Sequence, residues 1–208
     1  MGMRKSFILA LVAGFVALLS AGAMPVFAAS GTCNTGGCTT PGVDLKFEVV
    51  IPNLVRLQIG DGTLVNTLSF NPTADQVGTS TPIAATGGNG LLANGVTVEV
   101  LANGGATSVQ VDTSVTGGGQ GIDCQASSGS CQNGFDFISW DQITVAGNGC
   151  SVTPPALSNG GGTFATYNAN ANGVVNEICE WRYTYANDEM KPDGIYAGTV
   201  TYTATVTP

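Results

Sequence analysis

The chain has 208 residues, with 14 acidic and 6 basic side chains, 30 glycines, six cysteines and no histidine. Without histidine, the usual proton shuttle near neutral pH, the Ser-His and Cys-His nucleophile pairs and the commonest zinc and copper ligand are all missing, and many enzyme classes fall with them. The acidic balance repels phosphate backbones, which sets a nucleic-acid partner aside.

Residues 1–28 read as a secretory signal peptide: Arg4 and Lys5 precede an apolar run from Phe7 to Leu19, and Val26-Phe27-Ala28 is a small-residue cleavage site before Ala29. A membrane span is the weaker reading, because Gly14, Ser20, Gly22 and Pro25 interrupt the apolar run. No transmembrane anchor is therefore expected after processing. Lipid attachment is not expected either, since Cys33 follows Ser30-Gly31-Thr32 and not an apolar run. The processed chain would be about 180 residues, enough for one domain with a substantial core. Of the basic residues only Lys46, Arg56, Arg182 and Lys191 lie in it, against all 14 acids, for a net charge of −10. We assign residues 29–42 to a Gly- and Cys-rich leading segment and residues 43–208 to a single domain.

Val43, Leu45, Phe47, Val49 and Ile51 alternate, and the pattern resumes after Pro52 at Val55, Leu57 and Ile59 before the turn Gly60-Asp61-Gly62. This predicts two strands, or one bent at the proline. A third strand is expected over 64–70, ended by Asn71-Pro72, and residues 71–95 form a long loop or a weak edge strand. Val96, Val98 and Val100, then Asn103-Gly104-Gly105, then Val109 and Val111 give the clearest hairpin. Residues 117–134 read as a loop, 135–145 as a strand pair or bulged strand around Trp140, and 146–173 as Gly- and Asn-rich surface cover. In 174–185, Val175, Cys179, Trp181, Tyr183 and Tyr185 share one parity. In 194–208, Tyr196, Val200, Tyr202, Ala204 and Val206 share one parity and Thr199, Thr201, Thr203 and Thr205 the other. Joined by Lys191-Pro192-Asp193-Gly194, these two segments are expected to pair through facing aromatic stripes.

No segment beyond the signal offers capped helical periodicity over ten residues. The expected class is all-β, an antiparallel β-sandwich of immunoglobulin-like or jelly-roll kind. Six cysteines in an exported chain favour three disulfides, for which fifteen connectivities exist. Sequence proximity suggests Cys33 with Cys38, Cys124 with Cys131, and Cys150 with Cys179. Zinc is disfavoured by the lack of any Cys-x-x-Cys pair.

The remaining site candidates are thin. Asp188, Glu189 and Asp193 cluster in one loop, with Asp61, Asp123, Asp136 and Asp141 elsewhere, but their spacing fits no calcium loop. Glu177 and Glu180 lie three apart, which on a strand sends them to opposite faces and prevents a glycosidase pair. Trp140, Trp181, Tyr183 and Tyr185 would make either a sugar-stacking platform or, the favoured reading, core. The glycine runs 117–119 and 160–162 precede no Lys-Ser/Thr and join no strand to a helix, so they are loops and not phosphate cradles. We expect no catalytic residues, no cofactor and no metal.

The alternating Thr and Val of the last strand, following Gly194 and Tyr196, resemble the closing strand of bacterial pilin-like, fimbrial and spore-coat-U-like proteins. That resemblance implies a secreted structural protein of a bacterial surface, whose subunits associate by strand complementation or act as a coat. By resemblance, the strand bearing Tyr196, Val200, Tyr202, Ala204 and Val206 would border the acceptor groove and pair with a periplasmic chaperone. The stretch bearing Val43, Leu45, Phe47, Val49 and Ile51 would be the donor, or else the first strand of a self-complete sandwich. The chain departs from the pattern in its short leading segment with two cysteines. The alternative function is a secreted module binding surface glycans or matrix.

Overall fold

Alternation decides which face of the longer strands β3, β4 and β11 is buried, and eleven strands form among the described residues of the computed structural model, which are 36–37, 45–62, 66–91 and 94–208. They are β1 (Val55–Ile59), β2 (Ile83–Ala84), β3 (Gly95–Ala102), β4 (Ser108–Val115), β5 (Ile122–Gly129), β6 (Phe137–Ile138), β7 (Ile143–Asn148), β8 (Phe164–Asn168), β9 (Val175–Tyr185), β10 (Gly194–Ala197) and β11 (Val200–Thr207). All pairings are antiparallel. One sheet runs β1-β3-β9, with β2 and β7 also on β9; the second is β11-β4-β8; the third, smaller, is β10-β5-β6. The chain divides into the units Met1–Val50 and Ile51–Pro208, and the sheets belong to the second. It is an all-β sandwich.

The core lies between the first two sheets. Val96, Val98 and Val100 of β3 and Val109 and Val111 of β4 are fully enclosed, with Tyr167 of β8 and Trp181 of β9. The Trp181 and Tyr202 rings stand 5.1 Å apart at a tilt of 59°, and the Tyr183 and Tyr202 hydroxyls meet at 3.1 Å. Trp140, in a short 3-10 turn ahead of β7, is also buried and donates its indole N–H to the Thr116 carbonyl at 2.9 Å. Both tryptophans are thus core.

Parity foretells faces, but several expected partnerships are different. The segments around Asn103-Gly104 do not form a hairpin: β3 pairs with β1 and β9, whereas β4 pairs with β11 and β8. The turn carries the chain from one sheet to the other, because both strands have their valine face fully buried and bury it against each other. Likewise β9 and β11 are not neighbours, and their aromatic stripes meet across the core. The last segment is also split at Gly198 and Thr199 into β10 and β11; a Cβ on Gly198 would lie 2.6 Å from the Trp140 ring. Of the strand expected over 64–70, residues 66–70 contribute one isolated bridge, Ser69 with Thr86. Residues 135–145 hold only the two-residue β6, the 3-10 turn and the start of β7. Residues 146–173 are more than cover: they include β8 and place Pro154, Pro155 and Leu157 in the interior. Residues 45–54 form no strand, and regular pairing starts at Val55. The signal peptide, Val43, Cys33 and Cys38 lie outside the described residues.

One buried polar residue organises the connections at 73–82 and 186–190. Asn187, 1% exposed and at φ 57°, a left-handed conformation that asparagine tolerates, donates its amide to the carbonyls of Gln76 (2.6 Å) and Thr81 (3.3 Å). Its side-chain oxygen accepts from Gly78 N–H at 3.1 Å, and its backbone carbonyl from Ser80 N–H at 2.9 Å. Asn187→Ala removes three side-chain bonds, leaves buried backbone groups unmet and adds left-handed strain; we expect a loss of about 2–3 kcal/mol in urea unfolding. Asn187→Gly, which relieves the strain alone, should still lose more than half of that.

Candidate functional site

The C-terminal strand is an edge, and its geometry is unusual for one. Thr199 C=O accepts from Thr116 N–H and Thr207 C=O from Thr107 N–H, so the odd-numbered residues of β11 direct their backbone groups to the β4 side. By alternation, Val200, Tyr202, Ala204 and Val206 direct theirs to the free edge. These four also carry the inward side chains, and all four are only half-buried, in contrast to Val109 and Val111 of the neighbouring β4. No strand among the described residues pairs with that edge. It bears no lysine and no bulge, the devices that usually protect an edge from adding another chain.

The opposite sheet ends in the same way. Gly60 N–H bonds Thr97 C=O and Asn103 N–H bonds Leu54 C=O, which turns the backbone of Val55, Leu57 and Ile59 toward the free edge of β1. Leu57 and Ile59 are half-buried and Val55 is 48% exposed. Since β1 and β11 approach one another, their two free edges bound an apolar seam along one side of the sandwich. At its end lies a cavity of about 220 Å³, lined by Leu54, Val55, Asn103, Ala106, Val206 and Pro208. Asn103 fixes the chain there: its side-chain oxygen accepts from Leu54 N–H at 2.6 Å and its amide donates to Pro52 C=O at 3.1 Å. Sequence reasoning saw in Asn103-Gly104 only turn chemistry and missed this clamp.

The far side of the sandwich is closed. The loop 149–163 is bonded to β9 through the Cys150–Cys179 disulfide, buries Pro154, Pro155 and Leu157, and reaches β4 where Gly162 N–H meets Thr113 C=O at 2.9 Å. Among the described residues one flank is plugged and the other is not.

Residues 45–51 carry the complementary character. Leu45, Phe47, Val49 and Ile51, one parity of an alternating stretch, are 74%, 82%, 82% and 75% exposed, and none is in a strand. Isolated surface apolar residues are ordinary, but these four, with Val50 of the other parity also 82% exposed, make a continuous exposed apolar stretch. Lys46 and Glu48, 3.9 Å apart on the other parity, are also exposed. Tyr196, expected on the same strand as Val200 and Tyr202, belongs instead to β10, where its hydroxyl donates to Pro192 C=O at 3.0 Å.

The other candidates resolve into structural roles. The loop expected over 117–134 contains strand β5, whose Cys124 is bonded to Cys131, and carboxylates tie down the turn that follows the strand: Asp123 accepts from Gly134 N–H (2.9 Å) and Asn133, Asp136 from Gln132 N–H (2.7 Å), and Asp193 from the Ser130 hydroxyl. The Ser130 bond holds the Asp193 carboxyl below its ordinary range. Cys150, Glu177 and Cys179 bring two sulfurs and a carboxylate within 4.8 Å. Those sulfurs are bonded to each other, and Glu177 accepts from Ser151 N–H (2.5 Å) and hydroxyl (2.7 Å), so the cluster offers no thiolate. Glu180 is buried against Gly90 and Gly95, where an added Cβ would meet its carboxylate at 2.4 and 1.9 Å. Asp188 and Glu189 are exposed, and Glu189 pairs with Lys191 at 2.6 Å.

Comparison of the chain with protein-family models, curated proteins and solved structures finds no match.

Proposed function

We propose that this chain is a secreted, pilin-like or fimbria-like structural subunit of a bacterial surface, whose copies associate by strand complementation. The segment 45–51 of one copy adds to the open β11 edge of another and fills the β1–β11 seam. The observation that carries this reading is the pairing of an unprotected edge, four inward side chains half-covered, with an exposed stretch of four alternating apolar residues in the same chain. Strand addition satisfies the edge N–H and C=O groups and buries both apolar rows at once. Covering the four arm residues corresponds to roughly 1.5 to 3 kcal/mol each before the cost of ordering the arm. Two disulfides in the sandwich suit an oxidising, extracytoplasmic destination. The same edge would suit a periplasmic chaperone that shields the subunit before assembly.

Processed protein run unheated in SDS should give a ladder of multimers, and deletion of residues 29–51 should collapse it to monomer. A full-length chain that remains monomeric at high concentration and retains glycans on an affinity matrix would defeat this reading.

A further inference from the structure

We propose that Arg182 holds the carboxylate of a small sugar acid on the outer face of the first sheet, away from the open strand edges. Of the four basic side chains among the described residues, three have a carboxylate partner: Lys46 with Glu48 at 3.9 Å, Arg56 with Glu99 at 3.1 Å and Lys191 with Glu189 at 2.6 Å. Arg182 has none among them, although the chain carries 14 acids. It is half-buried, its Nε is enclosed, and no acceptor among the described residues meets that N–H. Enclosing one nitrogen strips the guanidinium of part of its hydration, and no carboxylate makes up for it. An incoming anion is therefore attracted more strongly than by a fully solvated arginine.

The sheet leaves that charge approachable. On β9 the side chains of Trp181, Tyr183 and Tyr185 turn into the core, so Glu180, Arg182 and Thr184 face outward. Level with Arg182 stand Gly95 on β3 and Ala146 on β7, and Ala146 is exposed. A small residue on each side makes a shallow trough across three strands, with the guanidinium in its middle. Of the three guanidinium nitrogens only Nε is enclosed, which leaves Nη1 and Nη2 as an end-on fork for the two oxygens of a carboxylate. Thr144 and Asn148 flank Ala146 on the same face of β7, and Thr184 follows Arg182 on β9. Their hydroxyl and amide groups lie about 7 Å from the arginine along the strands, within reach of the hydroxyls of a sugar ring seated on it. Glu180, two places back on this face, is committed elsewhere: it is buried, accepts from the Asn148 amide at 3.4 Å and packs on Gly90 and Gly95. Its charge nevertheless limits the trough to an anion of single charge, and the net charge of −10 on the processed chain opposes a polyanion.

The test titrates isotope-labelled processed protein with glucuronate, glucose, acetate and sulfate at matched ionic strength and follows the backbone amides by NMR. Glucuronate should move the amides of Gly95, Ala146 and Arg182 in a saturable way, with glucose inert and both acetate and sulfate weaker. Arg182→Gln should weaken glucuronate by roughly tenfold or more, and Arg182→Lys, which keeps the charge but loses the fork, should bind in between. No saturable shift, an equal response to glucose, acetate or sulfate as tight as glucuronate, or an unchanged titration in Arg182→Gln would each overturn the proposal. Urea unfolding supplies the second readout. Since Arg182 makes no side-chain bond to the described residues, Arg182→Gln should be as stable as the parent chain. A clear loss of stability would assign the guanidinium to the fold and overturn the proposal as well.

Discussion

Replacing Cys150 and Cys179 together by serine is expected to lower stability by roughly 3 to 4 kcal/mol, more than any other covalent change in the described part of the chain. The bond spans 29 residues, whereas Cys124–Cys131 spans 7, and the loop-closure entropy it removes from the unfolded chain grows with that span. The same model gives about 2.5 kcal/mol for the shorter loop. A second consequence is specific to this fold. The disulfide anchors the loop that seals the far flank of the sandwich, with Pro154, Pro155 and Leu157 beneath it and Glu177 holding Ser151 beside it. Unfastening it exposes a second apolar flank in addition to the seam. Calorimetry on the double serine variant should show a melting temperature lower by on the order of 10 °C, and the variant should bind a hydrophobic dye below that transition. Equal losses for the two disulfide variants would show that span and sealing do not matter.

How far this architecture was legible is clearest at two turns. The valines of 96–111 and the aromatics of 175–185 announced which side chains go inside, because a period of two leaves little choice once one face is apolar. They did not announce neighbours. Asn103-Gly104-Gly105 is hairpin chemistry by composition, but Val96, Val98, Val100, Val109 and Val111 are all fully or nearly fully buried, and two strands that must each bury a whole face do so by stacking across a core. In the same way the 187–194 connection is long enough to pass from one sheet to another, and the β9 and β11 stripes became stacked layers. The clamp at Asn103 and the hub at Asn187 left no trace in the pattern, since each acts through carbonyls and amides tens of residues away. The alternation of residues 45–51 was plain; that it goes unused within a single chain was not, because the same pattern suits an internal strand and a free one.

Alkaline pH should unfold this protein through its tyrosines. All five have their ionisation pushed upward. Burial raises Tyr202 to about 12, and Tyr183 is pushed well above its ordinary value of 10.0 by burial first and by the Tyr202 hydroxyl second. A group whose folded value is raised stabilises the fold fully below its unfolded value, near 10, and that contribution is lost as pH climbs toward the folded one. Unfolded chains then release protons that the folded chain retains. For Tyr202 alone the loss amounts to about 2 kcal/mol by pH 12, and Tyr183 adds to it. Absorbance at 295 nm should therefore show the interior tyrosines ionising together with loss of structure, in one step above pH 10. Five independent titrations near 10 with the sandwich intact would contradict this. Tyr202→Phe should move the alkaline midpoint of urea unfolding upward, since it removes a proton that the unfolded chain would release. Because Tyr202 lines the seam, a strand seated there covers it further, and assembled material should hold its structure to higher pH than the variant lacking residues 29–51. That difference connects a spectroscopic property of the core to the occupancy of its open edge.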